Sequence, residues 1–276
     1  MTKLVYIGGY GHSGSTLLEY LLTARPGVVA CGEVVSSIRR GTKTRSTLKN
    51  KECTCGQMAE DCPVWSVAYS AADRSPGWTH DRLVHALLQQ LNGRYAGMVD
   101  SSKTAWGGLS SPFRFRRDMG SDFHLIHLVR DPRAVFWSVL KQKRRRARRH
   151  GYTPLHHGLL GIWTALAWSV ANLSCELLGL IHPHAYVRVR YEDLAQSPAA
   201  VLQSLYAKLL PNVQWNLDEI GTSNNRHQLH GNAMRFRQLS VAEVREDLSW
   251  KTEMPEDYLR FVMPISYLLR RRYGYR

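Results

Sequence analysis

Leu4-Val5-Tyr6-Ile7-Gly8-Gly9-Tyr10-Gly11-His12-Ser13-Gly14-Ser15-Thr16-Leu17-Leu18-Glu19-Tyr20-Leu21-Leu22 is the stretch that decides how the rest of the chain is read. The apolar run Leu4 to Ile7 reads as a buried strand, the glycines after it allow a tight turn, and Leu17, Leu18, Leu21 and Leu22 recur at helical spacing. A strand that delivers a glycine-rich turn to a helix N-terminus makes an anion site, because unpaired backbone N–H groups and the positive end of the helix dipole converge there. Gly9, Gly14, Ser15 and Thr16 stand in the G-x-x-x-x-G-K-[ST] frame of phosphate-binding loops, with Ser15 in place of the lysine. That lysine reaches the β- and γ-phosphates of a triphosphate. Its replacement argues against ATP or GTP hydrolysis and for a less highly charged terminal group, with Ser15 and Thr16 left as hydroxyl donors.

Further strands are expected at residues 95–99, 123–129 and 185–189. Between them, helical patterns fall at 81–91, from Pro132, at 158–175, from Pro198 to about residue 210, and at 255–272. Ser240-Val241-Ala242-Glu243 has the form of a capping box that opens one more helix. The alternation predicts an α/β fold: three layers, α/β/α, around a central parallel sheet, in one domain over residues 1–276. Within it, residues 42–63 read as a Cys-rich insert and 141–157 as a basic, lid-like segment, the helix from Pro132 giving way to a loop at about residue 147. Residues 158–175 carry no charge and reach the lower length of a bilayer span, but Ser169, Asn172 and Ser174 within them and Glu176 after them fit a buried core helix better. On that helix Trp163 and Trp168 are expected to be packing residues.

A second motif repeats the strand-to-helix arrangement. In Leu128-Val129-Arg130-Asp131-Pro132-Arg133, Asp131 suits the N-cap and Pro132 the first helical position. Strand ends of one parallel sheet open on the same crevice, so Arg130 can converge with the glycine loop on one ligand. Ser138 lies about two helical turns further on and can share a phosphate with Arg130. Taken alone, the Arg-Asp-Pro step is also what a capped surface helix carries.

The 276 residues include 37 Lys+Arg against 22 Asp+Glu, a formal charge of +15, which calls for an anionic partner. Residues 141–149 hold seven of those cations; the +8 that remains is short of nucleic-acid-binding extremes, and no aromatics interleave the run, so no nucleic acid is expected. At 44% hydrophobic and 21% charged residues, wholesale disorder is excluded. The absence of a secretory-type opening and the odd count of five cysteines lead to the expectation of a reducing cytoplasm. Cys53, Cys55 and Cys62 have no standard zinc-finger spacing, and zinc would need a fourth ligand from Cys31 or a histidine. Structural thiols or a labile disulfide are the simpler reading, and no metal is expected.

Together the two motifs resemble those of the sulfotransferases that use 3′-phosphoadenosine 5′-phosphosulfate. The resemblance is strengthened by Arg190-Tyr191-Glu192-Asp193-Leu194 after a strand, by His230-Gly231-Asn232-Ala233-Met234-Arg235-Phe236, and by Cys31-Gly32-Glu33 after Arg25-Pro26-Gly27. It implies a P-loop nucleotide-hydrolase-like fold. It implies further that Gly11, His12, Ser13, Gly14, Ser15 and Thr16 grip the 5′-phosphosulfate and Arg130 and Ser138 the 3′-phosphate. Tyr191, Gly231, Asn232 and Arg235 would complete the nucleotide site. By the same resemblance Glu33 is the catalytic base and Lys103, in Asp100-Ser101-Ser102-Lys103, stabilises charge on the leaving group. Related loops carry Arg or Lys where this chain has His12, which is only partly charged at neutral pH.

The function so implied is metal-free, in-line transfer of a sulfuryl group to a hydroxyl of a glycan, tyrosine or phenol, lipid or natural product. Adenosine 3′,5′-bisphosphate is the product. Two other readings stay open on the residues: a nucleotide kinase or phosphotransferase with a degenerate loop, in which Asp100 would hold a metal, and a non-catalytic nucleotide- or polyanion-binding protein.

Overall fold

The computed structural model describes residues 1–23, 26–38, 48–71, 78–151, 156–211, 213, 225–237 and 243–276, with the side chains of 106, 107 and 233 left aside. Ser240 to Ala242 of the capping-box motif, Arg25, and parts of the Cys-rich and lid-like segments lie outside them.

Five strands, β1 (Lys3–Gly8), β2 (Val28–Ala30), β3 (Gly97–Asp100), β4 (Phe123–Val129) and β5 (Tyr186–Arg190), form one sheet in the order β2-β3-β1-β4-β5. Every pairing is parallel; Leu4 stands opposite Phe123 and Gly8 opposite His127. Side chains alternate across the sheet, so Leu4 and Tyr6 of β1 enter one apolar cluster and Val5 and Ile7 another. Helices α1 (Ser15–Leu22), α2 (His80–Leu91), α3 (Ser111–Met119), α4 (Pro132–His150), α5 (His157–Ile181), α6 (Pro198–Leu209) and α7 (Met263–Arg272) are arranged around the sheet, giving the three-layer α/β/α architecture. The connection leaving β1 runs toward β2 and that leaving β4 toward β5, so the chain diverges between the two central strands and opens a crevice at their C-terminal ends.

Three expectations are corrected. The α4 helix does not yield to a loop at residue 147 but continues to His150, with Gly151 as a left-handed C-cap. Arg and Lys are good helix formers, and cations in the last turn favour the dipole. The terminal helix is two pieces, a 3₁₀ turn at Glu256–Phe261 and then α7, divided just before Pro264, which lacks an N–H to continue the ladder. The α5 helix is buried on one face only. Leu160, Trp168, Ala171 and Cys175 face the interior, whereas Trp163, Leu166, Val170, Leu173, Leu177 and Leu180 are exposed. Trp163 therefore does not pack in the core. Among the described residues α5 is the one helix long and apolar enough to cross a membrane.

His127 of β4 is fully buried between the side chains of Asn172 and Tyr186. It donates from Nε2 to the Asn172 Oδ1 at 2.7 Å and accepts at Nδ1 from the Tyr186 hydroxyl at 2.8 Å, as the neutral tautomer requires. Burial pushes its pKa down to about 4 from the ordinary 6.5. The unfolded chain therefore binds a proton that the folded one refuses, and stability falls as pH drops through that window. Between pH 7 and pH 5 this group alone should remove about 2 kcal/mol. Urea midpoints at the two pH values should differ less in His127→Gln, which keeps a donor and an acceptor but cannot protonate.

Candidate active site

The turn after β1 is fixed by contacts that leave no room for a side chain. Gly9 has φ +111°, and a Cβ there would lie 2.4 Å from the Leu128 carbonyl oxygen. Gly14, at φ +90°, packs its α-carbon against the Tyr191 ring, where a Cβ would come within 2.5 Å. Thr104 anchors the turn by accepting from the Gly9 amide at 2.7 Å. The loop thus reaches α1 with the first-turn N–H groups at the head of the crevice.

Around it lies a cleft of about 1460 Å³. Gly11, His12, Gly14, Ser15, Thr16, Glu33, Lys103, Arg130, Ser138, Tyr191, Gly231 and Asn232 all line it. Of the residues that the sulfotransferase resemblance assigns to catalysis or nucleotide binding, Ser13 and Arg235 do not. Ser13 is buried, with a hydroxyl that finds no partner among the described residues. Arg235 turns back to donate to the Gly231 carbonyl at 3.0 Å and so braces its own loop. Lys143, Arg145, Arg146 and Arg149 of α4 line the same cleft, so the basic run forms one of its walls.

Arg130, only 6% exposed, donates to the His12 carbonyl at 3.0 Å and to the Asp247 carboxylate at 3.2 Å. Its guanidinium lies 4.2 Å from the centre of the Tyr191 ring. Its Nε has no partner among the described residues. Ser138 Oγ meets His12 Nδ1 at 2.9 Å. Burial, reinforced by the cations of Lys103 and Arg130, pushes the His12 pKa down to about 4, so the imidazole is neutral near pH 7. His12 is therefore a hydrogen-bonding neighbour of Ser138 and does not replace the missing loop cation.

On the opposite side Lys103 Nζ donates to Glu33 Oε1, and Ser36 donates to Glu33 Oε2 at 3.2 Å. Lys103 has φ 62° and ψ 154°, a conformation natural to glycine and costly for any other residue. It is held there by the Tyr6 hydroxyl, which donates to its carbonyl at 2.7 Å. His12, with φ 65°, is also left-handed. Of the three non-glycine residues with positive φ among the described residues, two thus flank the cleft.

One residue that holds the cleft together escaped the sequence reading. Glu19, on the buried face of α1, accepts from the Gly32 amide at 2.8 Å and from the Ser101 hydroxyl at 2.7 Å. It thereby couples the segment before Glu33 to the segment before Lys103. Burial pushes its pKa up to about 7 against those hydrogen bonds. The signal was present: a carboxylate inside the apolar pattern of α1. Asp100 is fully buried, bound by His80 Nε2 at 2.7 Å and by the Ser102 amide at 2.8 Å, and does not line the cleft.

The architecture is a three-layer α/β/α fold with a glycine turn after β1 and a cleft walled by basic side chains. The Sulfotransferase family matches residues 5–215, most of the chain, and the protein belongs to that family. Among solved structures it is similar to the sulfotransferase domain from the curacin biosynthetic pathway, with 19% identity and a TM-score of 0.57, over 96% of this chain and 98% of that one. The sulfotransferase domain from the Synechococcus PCC 7002 olefin synthase gives 17% identity and a TM-score of 0.56, over 97% and 95% of the two chains. A sulfotransferase from Alicyclobacillus acidocaldarius gives 13% and 0.52, over 99% and 96%. No curated protein matches the chain.

The strain at Lys103 can be measured directly. Lys103→Gly and Lys103→Ala remove the same ammonium, but only glycine relaxes in this backbone conformation, so the glycine variant should be the more stable by about 1–3 kcal/mol. Glycine is ordinarily the less stable of the two, and chemical denaturation of both variants reads the inversion.

Proposed function

We propose that the protein transfers the sulfuryl group of 3′-phosphoadenosine 5′-phosphosulfate to an acceptor hydroxyl, releasing adenosine 3′,5′-bisphosphate. The observation that carries this reading is the convergence of the β1 loop, the Lys103–Glu33 pair and the Arg130–Ser138–His12 group on one cationic cleft. The cleft fits such a donor: the buried Ser13 hydroxyl and Arg130 Nε lack partners among the described residues, and both can donate to phosphate oxygens. The loop amides with Ser15 and Thr16 receive the 5′-phosphosulfate, Arg130 and Ser138 the 3′-phosphate, and Tyr191, packed under Gly14, walls the site.

In the reaction the acceptor oxygen attacks sulfur opposite the bridging oxygen and gives its proton to Glu33. The bond from sulfur to the bridging oxygen breaks, and its electron pair stays on the 5′-phosphate. Without donor, Lys103 is engaged with Glu33. An arriving phosphosulfate competes for that ammonium; as Lys103 turns to the bridging oxygen, Glu33 Oε1 is released to act as base. The cleft cations supply the charge stabilisation, so transfer is independent of added Mg²⁺. Asp100, the carboxylate that a phosphotransferase would need for its metal, is occupied by His80 and Ser102, which favours sulfuryl over phosphoryl transfer.

Incubation with labelled phosphosulfate and a panel of glycans, phenols, tyrosine peptides and lipids should give products heavier by one SO₃, with no turnover of ATP. Turnover of ATP in Mg²⁺ and none of phosphosulfate would overturn the reading. Glu33→Gln should lower kcat by about 10²–10⁴-fold while the bisphosphate still binds. In Arg130→Ala bisphosphate affinity should fall by about 10–100-fold.

His12 gives an independent handle. Phosphate beside a neutral imidazole raises its pKa from about 4, so binding takes up a proton and tightens as pH falls below neutrality. Calorimetry of adenosine 3′,5′-bisphosphate in buffers of different ionisation enthalpy should detect that uptake, and His12→Asn should abolish it.

A further inference from the structure

Outside the cleft, four side chains with metal-binding atoms meet. Cys53, Cys55, Cys62 and His227 each bring one ligand atom within 4.8 Å of the other three. Cys53 and Cys62 are fully buried, His227 is 7% exposed, and Cys55 is half-buried. None of the four lines the cleft. We propose that Cys53, Cys55, Cys62 and His227 form a tetrahedral site for one zinc ion, which fastens the Cys-rich insert to the segment carrying Gly231 and Asn232.

The spacing of the ligand atoms is the main argument. Four ligands on a tetrahedral zinc, at about 2.3 Å for sulfur and about 2.0 Å for nitrogen, lie about 3.8 Å apart for sulfur pairs and about 3.5 Å for sulfur and nitrogen. Here Cys53 and Cys62 are 3.6 Å apart at Sγ and Cys55 and Cys62 3.8 Å, while His227 Nδ1 lies 3.3 Å from Cys62 and 4.0 Å from Cys53. These four distances match edges of a coordination tetrahedron, and the remaining two, Cys53 to Cys55 and Cys55 to His227, are within 4.8 Å. A disulfide needs its sulfurs at about 2.05 Å; all five cysteines are free, so of the two simpler readings, structural thiols or a labile disulfide, the structure has the thiols.

Backbone donors surround the three sulfurs. The Gly56 amide donates to the Cys53 carbonyl at 2.9 Å, closing a tight turn that brings the Cys-x-Cys pair to one side. The amides of Cys55, Gln57, Val64 and Trp65 donate to the sulfurs of Cys53, Cys55 and Cys62, offsetting the charge that three thiolates would carry. His227 is fixed from both sides: the Trp65 indole donates to its carbonyl at 2.6 Å, and its amide donates to the Ala30 carbonyl at 2.8 Å. Three sulfurs and an imidazole suit zinc, and a shell with no open position suits a structural ion.

The ion would act on the cleft through the backbone. Thr54 accepts from the Gln228 amide at 2.9 Å and donates to the Arg226 carbonyl at 2.7 Å, so the thiol turn and the late segment are already laced together. Gly32, next to Glu33, packs under the same segment, where a Cβ would lie 2.8 Å from the His230 carbonyl oxygen. A metal at the four ligands would lock this wall beside Glu33.

The test is the metal content of the untagged full-length protein, by inductively coupled plasma mass spectrometry after gel filtration. One zinc per chain is expected, released by a mercurial that caps thiols. Replacement by Co²⁺ should give a thiolate-to-cobalt charge-transfer band and the ligand-field bands of tetrahedral geometry. His227→Cys should keep the full equivalent, His227→Ala and Cys62→Ser should lose it, and Cys31→Ala should retain it. Full-length protein that takes up neither zinc nor Co²⁺ while its thiols titrate freely would overturn the proposal. Because the wild-type protein gives that result on its own, misfolding of a variant cannot rescue the idea. Metal content is read without any donor, so failure here leaves the sulfuryl-transfer reading standing, and the reverse is equally true.

Discussion

The guanidinium of Arg130 is withdrawn from water and ties together three stretches of chain that are distant in sequence. It bonds the backbone of the β1 loop at His12, the backbone and carboxylate of Asp247, and the face of Tyr191. Its own carbonyl accepts from the Trp168 indole of α5 at 3.2 Å. A buried cation left without partners costs several kcal/mol, so these contacts are a condition for the residue to be there at all. A lysine could not replace it, because a single ammonium cannot present a planar fork to two carbonyls and a carboxylate while stacking on a ring. The guanidinium is thereby fixed in the wall of the cleft.

The cleft divides its charges by task. Arg130 and the α4 cations are fixed or peripheral, whereas Lys103 sits in a strained backbone against the carboxylate that the proposed reaction needs free. Strain here is confined by Tyr6 and Thr104, whose hydrogen bonds hold the neighbouring backbone. Glu19 adds a buried tie between the two strand ends that carry Glu33 and Lys103. Such arrangements concentrate cost where positioning matters and recover it in the packed sheet below.

Much of this was legible in the sequence where local physics governs. The β1–α1 turn, the Asp131 N-cap and the parallel alternation all follow from short-range spacing, and the structure places Asp131 accepting from the Arg133 amide as capping requires. What escaped was set by distant partners. The β2 strand has only three residues, too few for a period, and exists because β3 and the later segment flank it. His227 joins Cys53 and Cys62 across more than 160 positions, which no spacing rule encodes. Trp163 and Trp168 look alike in an uncharged run, yet the helix turns one to solvent and the other to Arg130.

The outer edge of the sheet at β2 is not left open. Ala30 receives a bridge from Arg226, with the Ala30 amide donating to the Asn225 carbonyl at 2.9 Å and the His227 amide donating back at 2.8 Å. An unguarded edge invites pairing with other chains, and this one is shielded by the protein's own late sequence. The shield returns from nearly two hundred positions downstream, a closure that is entropically slow. The nascent chain therefore carries β1 and its glycine turn well before the segment that covers this edge has been made.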